Sequence, residues 1–168
     1  FFMSTENKYQ KSIDCLNDAI GKEIATSLQY MYFHVHLEDA GYKYLASYFR
    51  KVSIDEMRHI EEFSERIMFL EGDVDMNPAF ETRRITDIAD MLRFAIKVEQ
   101  NTIDTYNAAA KTTAEINDTV THHIFQQVTQ CEEQHLDNFR IELQNITDYG
   151  KNYLALQSIG HSKEIAKK

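Results

Sequence analysis

The chain has 168 residues, 43% of them hydrophobic, which suits a single domain over residues 1–168 with a sizeable core. A net charge of −9 and a pI near 5.2 exclude a nucleic-acid-coating surface, since phosphate contacts need clustered Lys and Arg and only Lys163, Lys167 and Lys168 approach that. Two cysteines, Cys15 and Cys131, make no disulfide framework, and no apolar run nears ~18 residues, so the expected setting is the reducing cytoplasm and not a membrane. Met3 behind Phe1-Phe2 reads as an initiator preceded by two extra residues, and no signal pattern follows it.

One Pro and five Gly leave few breakers, and four long helices lie between them. The first runs from about Lys8 to Asp39 and stops at Gly41; the second runs from about Tyr44 to Glu71 and stops at Gly72. Asp73–Ile85 holds Asn77-Pro78 and no periodicity, so it is a loop. At ~3.3 Å per residue it reaches about 43 Å, roughly the ~42 Å length of a 28-residue helix. The loop therefore spans the bundle from end to end. Thr86 is placed to cap a third helix that fades near Thr112-Thr113, and Asn117 or Asp118 to cap a fourth that runs to about Asp148. A short fifth segment follows Gly150. The short connections at Gly41 and at 112–117 imply antiparallel hairpins, giving an all-α four-helix bundle with a long crossover between helices two and three.

Each helix carries an acid inside its apolar stripe. The second reads Leu45, Phe49, Val52, Glu56, His59, Phe63, Ile67, Leu70 in steps of three and four, and the fourth reads Ile124, Val128, Glu132, His135, Phe139, Leu143, Ile146. The first reads Leu16, Ile20, Glu23, Ser27, Tyr30, then His34 or Phe33, and Leu37; the third reads Ile88, Leu92, Ala95, Glu99, Thr102, Tyr106. An internal repeat of 76 residues relates Glu23 to Glu99, Glu56 to Glu132, His59 to His135 and Phe63 to Phe139. In each hairpin the lone Glu and the Glu-x-x-His are symmetric about the turn, so they sit at one height.

Four glutamates and two histidines in a dry bundle interior demand a positive partner, because an unpaired buried charge costs several kcal/mol. Two divalent cations balance four carboxylates, and carboxylates bridging them would hold them about 3.5–4 Å apart. Glu56 and His59, one turn apart, then bite one metal together. Tyr30, two turns beyond Glu23, can bring its hydroxyl to the same place, whereas His34, His36, His122, His123 and His161 read as structural or surface residues.

A Glu from each of two helices with Glu-x-x-His from the other two is the donor set of ferritin-like carboxylate proteins. More closely, the chain resembles the bacterioferritin family through Glu23-x6-Tyr30, Ser53-Ile-Asp-Glu-Met-Arg-His59, Glu65-Arg-Ile-Met-Phe-Leu-Glu-Gly72, Glu99, Glu132-Glu-Gln-His135 and Asn152-Tyr-Leu. The resemblance implies two iron ions per chain, with Glu23 and His59 terminal on one, Glu99 and His135 terminal on the other, and Glu56 and Glu132 bridging. It implies a ferroxidase that oxidises Fe(II) with O2 or hydrogen peroxide and stores ferric mineral in a hollow homo-oligomeric cage of 24 subunits. It also implies haem b between two chains, held by Met57 of each. Lys51 departs from the family, standing where many members carry an iron-binding His on the inner surface. A twelve-subunit mini-ferritin acting against peroxide and a ferritin-like diiron peroxidase or oxygenase would use the same six ligands.

Overall fold

In a computed structural model, residues 7–167 are described apart from the Lys151 side chain; Met3 and Lys168 lie outside the described residues. Five helices follow in order: α1 (Gln10–Asp39), α2 (Lys43–Phe69), α3 (Ile88–Glu115), α4 (Thr119–Tyr149) and α5 (Lys151–Ile165). α1 packs along α2 and α3 along α4, and α5 closes one end against α2 and α4. The crossover runs back along α1. Asn17 Nδ2 donates to Asp73 O at 2.9 Å, Ala79 N to Gly21 O at 2.8 Å, and Gln29 Nε2 to Arg83 O at 3.0 Å. Successive loop residues thus meet successive turns of α1, so α3 begins at the opposite end from where α2 finishes.

Several boundaries differ from the sequence expectation. Asp87 caps α3 in place of Thr86: its carboxylate accepts from Asp90 N at 3.0 Å, and a charged acceptor suits the positive end of a helix better than a hydroxyl. Asp118, one of the two expected candidates, caps α4. α3 continues past Thr112-Thr113 to Glu115 because both threonine hydroxyls turn back onto helix carbonyls, of Ala108 and Ala109, instead of competing for the chain's own N–H groups. α1 starts at Gln10, two residues later than the pattern suggests.

The end of α2 is also unlike the expected glycine stop. Glu71 takes the left-handed conformation, φ 59°, and Gly72 follows for a packing reason. A Cβ on Gly72 would lie 2.9 Å from Ile13 Cδ1 and 3.0 Å from both of its γ carbons, so a side chain there collides with the start of α1. At the other hairpin end Gly41, φ 83°, does provide the left-handed turn.

The 76-residue repeat is visible in the hairpin pins. His34 Nδ1–H donates to Ala46 O at 2.9 Å across α1/α2, and His122 Nδ1–H donates to Ala110 O at 2.7 Å across α3/α4. Positions 34 and 110, and 46 and 122, are repeat mates, so one bond is made in each hairpin with donor and acceptor exchanged. His122 and His161 are therefore not loose surface residues; the latter faces Ser47 Oγ at 3.1 Å. The His36 ring lies tilted against that of Tyr32, centroids 4.4 Å apart, and His123 is exposed.

Two apolar layers fill the bundle. One gathers Ile13, Leu16, Ile20, Phe63, Ile67, Tyr106, Phe125 and Val128; the other gathers Tyr30, Phe33, Leu37, Phe49, Val52, Leu92, Phe139 and Leu154. Phe33 rather than His34 enters the core, and Phe125 replaces Ile124 as the buried residue of α4, because a 3.6-residue period drifts off a fixed three-four ladder towards its ends. Leu143 and Ile146 are half-buried for the same reason. The six acidic and imidazole side chains form a polar layer between these two apolar ones.

Candidate metal centre

Glu56 and Glu132 are wholly buried, Glu23, Glu99 and His135 are at most 2% exposed, and His59 is 8% exposed. Their donor atoms fall into two groups, each within 4.8 Å: Glu23, Glu56, His59 and Glu132 form one, and Glu56, Glu99, Glu132 and His135 the other. Glu56 and Glu132 belong to both. All six sequence-selected residues therefore converge on one place, with the two repeat halves facing each other.

Both imidazoles turn Nδ1 inwards. His59 Nδ1 is 3.0 Å from Glu56 Oε2, 3.0 Å from Glu132 Oε1 and 3.7 Å from Glu23 Oε1. His135 Nδ1 is 3.0 Å from Glu132 Oε2 and 3.4 Å from Glu56 Oε1. Burial alone would lower both histidine pKa values, yet hydrogen bonds outweigh it and push both well up: from Cys131, Glu132, Glu23 and Glu56 for His59, and from Asp55, Cys131, Glu132 and Glu56 for His135. Burial, followed by the charge of Glu132, raises the pKa of Glu23 and lifts that of Glu99 far above the usual carboxylate range. Without metal the layer holds itself together with protons.

The fit of a metal pair rests on two orphaned atoms. Glu56 Oε1 and Glu132 Oε1 are buried with no aligned hydrogen-bond donor: the nearest nitrogens, His135 Nδ1 at 3.4 Å and His59 Nδ1 at 3.0 Å, are each hydrogen-bonded to the glutamate of their own helix. A buried carboxylate oxygen left without a donor is costly, and these belong to the two residues shared by both donor groups. Oxygen and nitrogen donors in two overlapping sets of four suit a pair of first-row divalent ions.

Two tyrosines complete the layer. Tyr30 OH donates to Glu99 Oε1 and Tyr106 OH donates to Glu23 Oε1. The hydroxyl of Tyr30 thus reaches the cluster as expected, but on the glutamate of α3 and not on Glu23 of its own helix. Tyr106 reads from the sequence as packing alone; its signal was the repeat, which makes it the mate of Tyr30. Burial and then the neighbouring glutamate keep both phenols protonated, so both remain donors. Just outside, Asp55 Oδ2 is 3.6 Å from His135 Nε2, and Cys131 Sγ is also 3.6 Å from it. The hydrogen bond to His135 holds Asp55 well below the usual carboxylate range, and hydrogen bonds to His135 and His59 lower the Cys131 thiol to about 7. Met57, by contrast, lies outside the layer, 56% exposed on the outer face of α2.

Residues 13–148 match the ferritin-like domain family. The chain belongs to the ferritin-like family. Among its relatives, it is 33% identical over 152 residues to a bacterioferritin of Desulfovibrio desulfuricans, covering 89% of this chain and 84% of that one. It is 29% identical over 141 residues to a bacterioferritin of Streptomyces coelicolor, covering 83% and 84%. A crystal structure of the Desulfovibrio desulfuricans bacterioferritin, described as showing its diiron site in different catalytic states, superposes with a TM-score of 0.87 at 29% identity over 91% of each chain. Family membership and a four-helix bundle with a short C-terminal helix agree with the sequence reading; no described helix is long and apolar enough to cross a membrane.

Proposed function

We propose that this chain stores iron by oxidising Fe(II) at the Glu23, Glu56, His59, Glu99, Glu132, His135 centre and depositing the ferric product inside a homo-oligomeric shell. The observation that carries the reading is the sharing of Glu56 and Glu132 between two groups of four donors. Glu23 and His59 would hold one ion, Glu99 and His135 the other, and Glu56 and Glu132, common to both donor groups, would serve both. Bound iron supplies the electrons that O2 or hydrogen peroxide accepts. The chain's residues do the rest: four carboxylates cancel the charge of two divalent ions, the imidazoles give up their Nδ1 protons on loading, and Tyr30 and Tyr106 keep Glu99 and Glu23 aimed.

The diiron site of the Desulfovibrio desulfuricans relative supports iron over zinc here. The free thiols of Cys15 and Cys131 support a reducing, cytoplasmic setting. Exposed Leu156, Ile159 and Ile165 on α5 support burial of that helix between subunits, as a shell of 24 copies would provide. We further assign Met57 to haem b shared between two chains. Met57, Met68 and Met76 line an open groove of about 710 Å³ on the outer face of α2, and a two-fold axis there would set two thioethers face to face.

Fe(II) added aerobically to metal-free protein tests the centre: it is oxidised in a fast phase of about two irons per chain. Glu56→Ala and Glu132→Ala each abolish that phase. A wild-type burst in either variant refutes the bridging roles. Haem titrated into the protein saturates near one per two chains, and Met57→Leu removes that binding while leaving the fast iron phase intact.

A further inference from the structure

The repeat that pairs His59 with His135 also pairs Asp55 with Cys131. Asp55 Oδ2 stands 3.6 Å from His135 Nε2, the ring nitrogen that points away from the cluster. That carboxylate is itself anchored, by Lys51 Nζ at 2.6 Å and Arg58 Nη1 at 2.9 Å. So His135 has a fixed acidic partner behind it. By the same symmetry the partner of His59 is residue 131, and there the chain carries a thiol. Cys131 Sγ lies 3.6 Å from His135 Nε2, and the repeat sets it towards His59 as Asp55 is set towards His135. A thiol is a weak donor and a weak acceptor, whereas a carboxylate accepts the imidazole N–H strongly, fixes the ring and raises the basicity of the ligating nitrogen.

We propose that Cys131 makes the two metal positions unequal, leaving the Glu23/His59 position the weaker and more readily emptied, and the Glu99/His135 position the resident one. This rests on the metal-centre reading above and deepens it. Asp55 and Cys131 act as positioning residues: neither belongs to the two donor groups, and each works through an imidazole. Unequal positions suit a storage protein, because one ion can leave for the interior after oxidation while the other keeps the carboxylate layer charge-balanced.

The test uses the intact protein, freed of metal and titrated anaerobically with Co(II), read by visible absorption and by the shifted NMR signals of the coordinated imidazoles. Outer-partner changes commonly alter metal affinity about 10–100-fold. Cys131→Asp should strengthen the weaker step by about tenfold or more, Asp55→Asn should weaken the tighter step by a similar factor, and in each variant the named step should move more than the other. The Co(II)-loaded wild type should show one slowly exchanging shifted ring N–H, that of His135, and Cys131→Asp should show two. A residue that mattered only for packing would lower the melting temperature without creating that second protected N–H. Should Cys131→Asp fold poorly, Cys131→Ser and Asp55→Asn carry the test, with Ser leaving the weak step weak. Two protected N–H signals in wild type, or an unchanged weaker step in Cys131→Asp, overturn the proposal and leave the centre standing. Failure of wild type to bind Co(II) overturns both.

Discussion

Loading the centre must expel protons, because the groups that hold the layer together without metal are the groups that ligate. In the metal-free protein hydrogen bonds push both imidazole pKa values well up, and burial raises those of Glu99 and Glu23. Ligation needs neutral imidazole and ionised carboxylate. The two imidazolium protons leave at neutral pH, about two for each pair of divalent ions, and the raised carboxylates add to that number. Each proton steepens binding by about 1.4 kcal/mol per pH unit, so affinity for the pair rises by about 3 kcal/mol, on the order of a hundredfold, or more per unit of pH. Calorimetric titration of Zn(II) into metal-free protein, in buffers of different ionisation enthalpy at one pH, counts the protons directly. Stability carries the same sign. The histidine pKa values are raised on folding, so their stabilisation is complete below the unfolded value of about 6.5 and is lost as pH climbs. The raised Glu23 and Glu99 values penalise their ionised forms, so they too cost stability as pH rises above the ordinary carboxylate range. The metal-free melting temperature should fall from pH 6 to pH 9, and the gap to the loaded protein should widen. Release of fewer than about one proton per pair, or affinity flat across that range, would refute the picture of a proton-held layer.

Tyr106→Phe and Tyr30→Phe each remove one hydroxyl donor, from Glu23 and Glu99 respectively, and each should weaken its own metal step by about tenfold in the same Co(II) titration while barely moving the other. Asp118→Ala strips the acceptor of Arg66 Nη2 at 2.6 Å and of the Ser12 and Thr121 hydroxyls at 2.6 Å, leaving a buried guanidinium unpaired; urea unfolding should register a loss of about 3–5 kcal/mol. Burial opposes it, but these donors hold the Asp118 pKa down, so its contribution is present above the unfolded value of about 3.9 and disappears as pH falls through the lower folded value. Gly72→Ala should cost about 1–3 kcal/mol by collision with Ile13, and Ile13→Ala in the same chain should recover part of it, so that the double variant is less destabilised than the two single losses added.

Much of this molecule is legible before folding because its chemistry interrupts its own pattern. A carboxylate in an apolar stripe is conspicuous at helical period, and the 76-residue repeat sets each Glu level with its Glu-x-x-His. What the pattern hides lies off the stripe or across the bundle. Tyr106 occupies an apolar ladder position whose hydroxyl has no visible purpose until α1 and α3 run antiparallel and bring it to Glu23. The cap of α3 and the stop of α2 turn on which of two adjacent residues, Thr86 or Asp87, Glu71 or Gly72, takes a particular backbone conformation, and local composition allows either. His122 looks exposed beside His123 because its carbonyl partner, Ala110, belongs to the facing helix.

The polar layer also explains why the apolar core is split in two. A continuous core would have been easier to stabilise, since burying four carboxylates and two imidazoles opposes folding in a way that aliphatic side chains do not. The bundle tolerates the interruption because apolar layers on either side exclude water and fix the helix register, and because every cluster group is held from more than one helix: Glu23 by α3, Glu99 by α1, His59 and His135 by carboxylates of both α2 and α4. Protons then fill the role of metal when metal is absent, at the cost of leaving Glu56 Oε1 and Glu132 Oε1 beside imidazole nitrogens but without an aligned donor. Those two atoms make the metal-free state the less satisfied one. Loading replaces a protonated, imperfectly paired layer with a charge-balanced one in a scaffold already in register, so affinity arises from relieving the interior and not from reorganising it.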